Sequence, residues 1–339
     1  MGNMQLFGRQ REIAVFGGSE RITELSQTEL HKNFLGDKSI HIILSSLSVM
    51  KYLPLAHIYS SSREFQVMTQ HSFALTTEDI EAFQRDGAIC LRGVFRDWIG
   101  TIADGIERNL AEPGAYASRY VEKDDKPGGF FDDYCNWQRI PEFRAMVEDS
   151  PAASVAAAVM RSRSAQFFHD HVLVKEPGAQ KATPWHQDIP YYFVEGSQNV
   201  SFWIPVDPVR ESTLRLLAGS HRWEKGIKPV HWADQSDFYK DAGGYRDAPD
   251  PDTDTEQGLQ VLEWEMQPGD AVLFDFRTVH GARGNASAQR RRVLSLRWLG
   301  DDIRYFERPG RTSPPYPGHA MQTGQRLRED WFPTIHQGA

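Results

Sequence analysis

Cysteine is nearly absent: Cys90 and Cys135 are the only two in 339 residues. Two thiols make neither a disulfide framework nor a cysteine-rich zinc site, and they suit a reducing compartment. Long apolar runs are missing too. No stretch approaches the ~20 residues that a membrane-spanning helix needs. The N-terminal segment carries Arg9, Arg11, Glu12, Glu20, Arg21, Glu24 and Glu29 and holds no apolar signal-peptide core. These lacks predict a cytoplasmic protein with no membrane partner. Positive charge is in deficit, with 38 Lys plus Arg against 46 Asp plus Glu and a net charge of −8. That balance excludes a polybasic nucleic-acid binder. A hydrophobic fraction of 40% excludes a disordered chain.

Aromatic residues are plentiful, with 9 Trp and 19 Phe, and promise a large core or a lined pocket. Residues 1–67 lack any sustained period of 2 or 3.6 and cluster their serines. They read as a poorly ordered extension, or an upstream start-site artefact with Met68 as the functional start; an extra helical layer is the competing reading. Beyond Met68, Thr76 and Asp79 form a capping-box pattern and Gly87 sits where a helix ends. A short strand, Ala88 to Phe95, follows. Ile99, Ile102, Ile106 and Leu110 then recur at helical spacing.

From about residue 165 the pattern is mostly β. Expected strands are 165–175, 182–188, 200–206, 214–217, 260–266, 270–276 and 291–299, punctuated by turn pairs such as Pro177-Gly178 and Pro268-Gly269. Helices first and many short strands after predict an α+β fold, a single double-stranded β-helix (jelly roll) over 68–339 with supporting N-terminal helices. Residues 232–258 show no period and read as a lid or insert. Asp234 to Glu256 holds eight acidic residues against Lys240 and Arg246, so −6 of the net charge is local.

The sharpest motif is His186-Gln187-Asp188. On a strand, His186 and Asp188 would face the same side. His280 lies far downstream, after a strand that opens at Pro268-Gly269-Asp270. Two imidazoles and one carboxylate make the facial triad of non-haem Fe(II) oxygenases, which leaves metal positions open for a co-substrate and O2. Alone, His-x-Asp is common by chance. Arg291 adds a guanidinium that can clamp a distal carboxylate. It shares strand parity with Val293 and Ser295, while Leu294, Leu296 and Trp298 face the opposite core.

These residues, with Leu217-Ala218-Gly219-Ser220-His221, Pro268 to Phe274, Val279-His280-Gly281 and Asn285, make the sequence from about 75 to 305 resemble the phytanoyl-CoA dioxygenase (PhyH) family of Fe(II)/2-oxoglutarate oxygenases. The resemblance implies His186, Asp188 and His280 as iron ligands and Arg291 as the partner of the 2-oxoglutarate C5 carboxylate. It implies an enzyme that uses Fe(II), 2-oxoglutarate and O2 to hydroxylate an unactivated C–H, releasing succinate and CO2. It places Trp203 and His171 at the co-substrate pocket, although each also reads as an ordinary core or strand residue. His169 reads as a hydrogen-bonded strand histidine. Two positions depart from the family pattern: Ala282 stands where a small hydroxyl residue is usual, and Glu211-Ser212-Thr213-Leu214 replaces the usual turn.

Substrate signals are thinner. Tyr191, Tyr192 and Phe193 follow the motif and read either as a substrate wall or as core. Arg297 shares the parity of Arg291 and reads either as an inward anchor for a substrate anion or as a surface ion pair. Pro309, Pro314, Pro315 and Pro317 stiffen a segment that reads as wrapping the barrel mouth. No basic cluster marks a CoA site, so a small, hydrophilic substrate is expected, acted on by a monomer or homodimer. Two alternatives stand beside this reading. A cupin-type metal enzyme would leave Arg291 without a carboxylate; a non-catalytic ligand-binding jelly roll would not need the three ligands to converge.

Overall fold

The computed structural model describes residues 75–121, 128–232, 235–240, 243–253 and 258–338. The expected extension over 1–67 and the start at Met68 lie outside the described residues, as do parts of the 232–258 insert. In chain order the elements are α1 (Thr77–Asp86), β1 (Ala88–Leu91), α2 (Ile99–Ala111), β2 (Ser118–Val121), β3 (Gly129–Tyr134), α3 (Pro141–Glu148) and α4 (Ala152–Val159). There follow β4 (Ser164–Lys175), β5 (Thr183–His186), β6 (Val194–Glu195), β7 (Asn199–Pro205), β8 (Leu214–Leu217) and β9 (Val261–Glu263). The last are β10 (Ala271–Phe274), β11 (His280–Ala282), β12 (Arg291–Leu299), β13 (Arg304–Tyr305) and β14 (Thr334–Gln337).

Local chemistry explains the helix limits. Thr76 Oγ1 accepts from the Asp79 amide at 3.1 Å, and Asp79 Oδ2 accepts from the Thr76 amide at 2.9 Å, which closes the expected capping box. Gly87 ends α1 at φ 77°, where a Cβ would meet His221 Nδ1 at 2.3 Å. Only glycine fits both the left-handed backbone and that contact. Helix α4 has no polar face to spare: six of its eight residues are buried.

The strands form an antiparallel jelly roll. The large sheet runs β1-β10-β7-β12-β4-β3-β2, with β14 also on β4; the small sheet runs β5-β11-β8-β9. Period-2 alternation divides the large sheet by face. Phe167, Phe202, Ile204, Leu273, Leu294, Leu296 and Trp298 pack against Ile102, Ile106, Phe143 and Met146 of the helices. The opposite face of the same strands looks toward the small sheet and encloses a cavity of 220 Å³. The helices thus support the back of the sheet whose front builds the site.

Candidate metal centre and its cavity

Strand pairing brings the two histidines together. His280, first residue of β11, is the register partner of His186, last residue of β5. Their ring centroids lie 4.2 Å apart. Asp188 arrives differently from the expectation: β5 ends at His186, and Asp188 opens a 3-10 turn over Ile189–Tyr191 at φ −73°, ψ −39°. Strand parity therefore does not aim Asp188. The Phe276–Thr278 loop does, because the Asp188 amide donates to Phe276 O at 2.8 Å. The same loop orients the distal histidine, whose Nδ1 lies 2.9 Å from Thr278 O. His186 Nδ1 lies 2.8 Å from Pro184 O. A carbonyl only accepts, so each Nδ1 carries the hydrogen and each Nε2 faces Asp188, free to meet a metal.

The side-chain atoms of His186, Asp188 and His280 that could hold a metal ion lie within 4.8 Å of one another, and all three residues are buried. Asp188 Oδ1 is 3.6 Å from His186 Nε2 and 3.9 Å from His280 Nε2. Burial, with His186 alongside, pushes the His280 imidazole down to about 3, so it is neutral and ready to ligate. Burial alone would raise Asp188, but Arg297 foremost, then the two histidines, hold it well below the usual carboxylate range. Two imidazole nitrogens and one carboxylate oxygen on one side suit a divalent first-row metal such as Fe(II). Among the described residues this is the one such cluster.

Arg297 is buried and faces the cavity, so the surface ion-pair reading is corrected. Its Nη2 is 3.4 Å from Asp188 Oδ2 and its Nε donates to Tyr192 Oη at 2.9 Å. Arg291 lies at the other end of β12's inward row. Its Nη1 donates to Ser212 O at 3.1 Å, its Nε has no hydrogen-bond partner, and its guanidinium lies 5.4 Å over the Trp203 ring. Burial pushes it down to about 10, and no carboxylate among the described residues answers it. A buried guanidinium without an anion is a seat for one.

The remaining predicted residues fall as follows. Trp203 and His171 line the cavity. His171 Nε2 is 3.4 Å from Asp132 Oδ2. His169 bonds through Nδ1 to Asp170 O at 3.2 Å, as a strand histidine does, yet it also lines the cavity with Nε2 unpartnered. Tyr191, Tyr192 and Phe193 share one apolar cluster with Phe168 and Phe332, and of the three only the tyrosines also line the cavity. The Tyr191 hydroxyl donates to Val230 O at 2.8 Å and accepts from Val230 N at 2.9 Å. It pins the start of the acidic segment, and Trp232 beyond it packs edge-on to His186 at 5.0 Å. The described acids of that segment are paired: Asp252 with Arg215 at 2.7 Å and Asp237 with Lys228 at 3.0 Å. The proline-rich segment reaches the cavity through Ser313 and Pro314. Sequence reasoning missed Asp132, Tyr134 and Trp232, which also line it. Alternation in Phe130-Phe131-Asp132-Asp133-Tyr134 was the available signal, obscured by the paired acids.

Comparison with known proteins agrees with this geometry. The profile of the phytanoyl-CoA dioxygenase (PhyH) family matches residues 83–293, more than half of the chain. The chain belongs to that family. It is a non-haem Fe(II)- and 2-oxoglutarate-dependent dioxygenase with a jelly-roll fold. A probable phytanoyl-CoA dioxygenase of Caenorhabditis elegans is 25% identical over 187 residues, 53% of this chain and 54% of that protein. The match thus spans about half the length of that relative. The ectoine dioxygenase of Stutzerimonas stutzeri is 22% identical over 65% of this chain and 75% of its own. Among solved structures, the non-haem α-ketoglutarate-dependent carbocyclase SnoK from nogalamycin biosynthesis superposes with a TM-score of 0.59 at 21% identity, covering 77% of this chain and 96% of that one. EvdO2 from Micromonospora carbonacea var. aurantiaca, complexed with 2-oxoglutarate, gives 0.51 at 22% identity over 70% and 96%. These structural likenesses concern the fold. No helix among the described residues is long and apolar enough to cross a membrane.

Proposed function

We propose that the protein hydroxylates an unactivated C–H bond of a small, hydrophilic molecule, with His186, Asp188 and His280 holding Fe(II) and Arg291 holding the C5 carboxylate of 2-oxoglutarate. The observation that carries this reading is the pairing of two features in one cavity. Three atoms that could hold a metal ion lie within 4.8 Å of one another, and the same cavity is lined by a buried guanidinium with no anion of its own among the described residues.

Bound Fe(II) supplies the activation of O2 that is coupled to decarboxylation of 2-oxoglutarate. The protein's residues supply position. His186 and His280 present fixed nitrogens because their Nδ1 hydrogens are committed to Pro184 and Thr278 carbonyls. Asp188 presents Oδ1 because Oδ2 is engaged by Arg297. Arg291, whose guanidinium carbon lies 5.4 Å from the Trp203 ring centroid, orients the co-substrate from its far end. Tyr191 and Trp232 cover the histidine side and exclude water. No side-chain acid or base is required. The cavity of 220 Å³ is below the roughly 300–1,000 Å³ of drug-sized ligand pockets, which favours a small substrate.

The test is incubation with Fe(II), 2-oxoglutarate and a panel of small hydrophilic acids, amines and phosphonates. The reading expects a product heavier by one oxygen atom, with equimolar succinate. Turnover that needs no 2-oxoglutarate would replace this reading with a cupin-type one.

A further inference from the structure

Among the described residues, two charged side chains that line the cavity have no opposite charge beside them. Arg291 is one, and the reading above assigns it to the co-substrate. Asp132 is the other. It points inward from β3, is 7% exposed and lines the same cavity. Oδ2 is 3.4 Å from His171 Nε2, and Oδ1 has no hydrogen-bond partner. His171 does not balance the charge, because burial lowers its imidazole and keeps it neutral near pH 7. Lys175, inward on the neighbouring strand β4, donates instead to Arg283 O at 2.7 Å. A buried carboxylate with one neutral donor is costly unless a cation completes it.

The surroundings of Asp132 suit an ammonium group. Tyr134, two residues along β3, also lines the cavity; Tyr120 on β2 lines it too, but its ring stacks on Phe130 and already carries Lys181 Nζ 5.3 Å from its centroid. Tyr134 is braced by stacking on Tyr116 at 5.0 Å and 8°. Aromatic faces beside a carboxylate attract organic cations through the ring quadrupole. Further along the same wall, Arg297 Nη1 and His169 Nε2 are a buried donor and a buried acceptor without partners.

We propose that the substrate is a small amine whose ammonium group pairs with Asp132 beside Tyr134, while its remaining polar atoms meet Arg297 and His169. This rests on the oxygenase reading of the site. The amine anchor and the metal centre share one cavity, so a short carbon chain joins the anchored group to the C–H that reacts.

The experiment is calorimetric titration, without oxygen, of the Fe(II)- and 2-oxoglutarate-loaded enzyme. The probes are putrescine, cadaverine and γ-aminobutyrate, each against its hydroxyl counterpart: butanediol, pentanediol and γ-hydroxybutyrate. Each amine is expected to bind about tenfold or more tightly than its counterpart, equivalent to one charge-assisted contact. Asp132→Asn, checked for an unchanged melting temperature, should bring each pair to within about twofold. Tyr134→Leu should weaken the amines and leave the hydroxyl compounds unchanged. Equal binding within the pairs, a preference that survives Asp132→Asn, or no amine binding at millimolar concentration would overturn the proposal. Failure of 2-oxoglutarate itself to bind would instead overturn the oxygenase reading, so the two failures are distinguishable.

Discussion

Arg297 Nη2 stands 3.4 Å from Asp188 Oδ2, while Asp188 Oδ1 faces both histidines. The arginine thereby decides which carboxylate oxygen is left for a metal. Groups that hold a metal ligand from behind typically contribute 10–100-fold to affinity. Arg297→Ala should weaken Fe(II) binding by about that factor, measured by anaerobic metal titration. Arg297→Lys keeps the charge but cannot span Asp188 and Tyr192 together, so it should fall between wild type and Arg297→Ala.

Arg291 gives a prediction of opposite sign for binding and stability. Its guanidinium is buried, lowered by desolvation and paired with no carboxylate among the described residues. Arg291→Met should cost 2-oxoglutarate affinity by about 2 kcal/mol or more, roughly 30-fold. It should leave the melting temperature of the metal-free protein unchanged or higher, because a buried unpaired charge is removed. Calorimetry with 2-oxoglutarate and thermal unfolding check the two halves.

Metal binding should stabilise the fold by mass action. At a free Fe(II) concentration of about 100 times Kd, the gain is about 2.7 kcal/mol. Chelation should lower the melting temperature correspondingly. His186→Ala, Asp188→Ala and His280→Ala should each abolish the difference between metal-loaded and chelated samples, read by differential scanning calorimetry.

Lys175 makes stability pH-dependent. Burial foremost, then Arg291, pushes its ammonium from 10.5 down to about 6. Between those values the folded state binds fewer protons than the unfolded state. Stability therefore rises with pH across that window and is lost as pH falls toward 6. Lys175→Met should raise the denaturant midpoint at neutral pH and flatten its rise toward alkaline pH, measured by chemical unfolding at several pH values.

The parts of the fold written in periodicity were legible. Strands β8 and β12 begin and end at the predicted residues, because short apolar-rich runs bounded by turn and polar residues mark them. The α1 capping box and its Gly87 stop were equally clear. Helix α4 was not, since a helix buried on nearly all sides shows no amphipathic stripe. Strands β2 and β3 were hidden because Asp132 and Asp133 look like loop residues. Inside, Asp133 Oδ2 accepts from Asn109 Nδ2 and from the Gly114 amide, both at 2.7 Å, contacts that no local pattern announces. Asp188 was named for its chemistry but given the wrong backbone, since its place depends on a hydrogen bond to Phe276, 88 residues away in sequence. Arg297 showed the limit of parity: it predicted the inward face and could not name the partner.

The central claim is that the His186, Asp188 and His280 cluster and Arg291 serve one reaction. Its most direct test is succinate formation from 2-oxoglutarate by the purified protein, with and without Fe(II), in wild type and in Asp188→Ala and Arg291→Ala. The account predicts Fe(II)-dependent succinate in wild type, none in Asp188→Ala, and in Arg291→Ala a rate restored only at much higher 2-oxoglutarate. Succinate formation that persists in Asp188→Ala, or an unchanged KM for 2-oxoglutarate in Arg291→Ala, would contradict it.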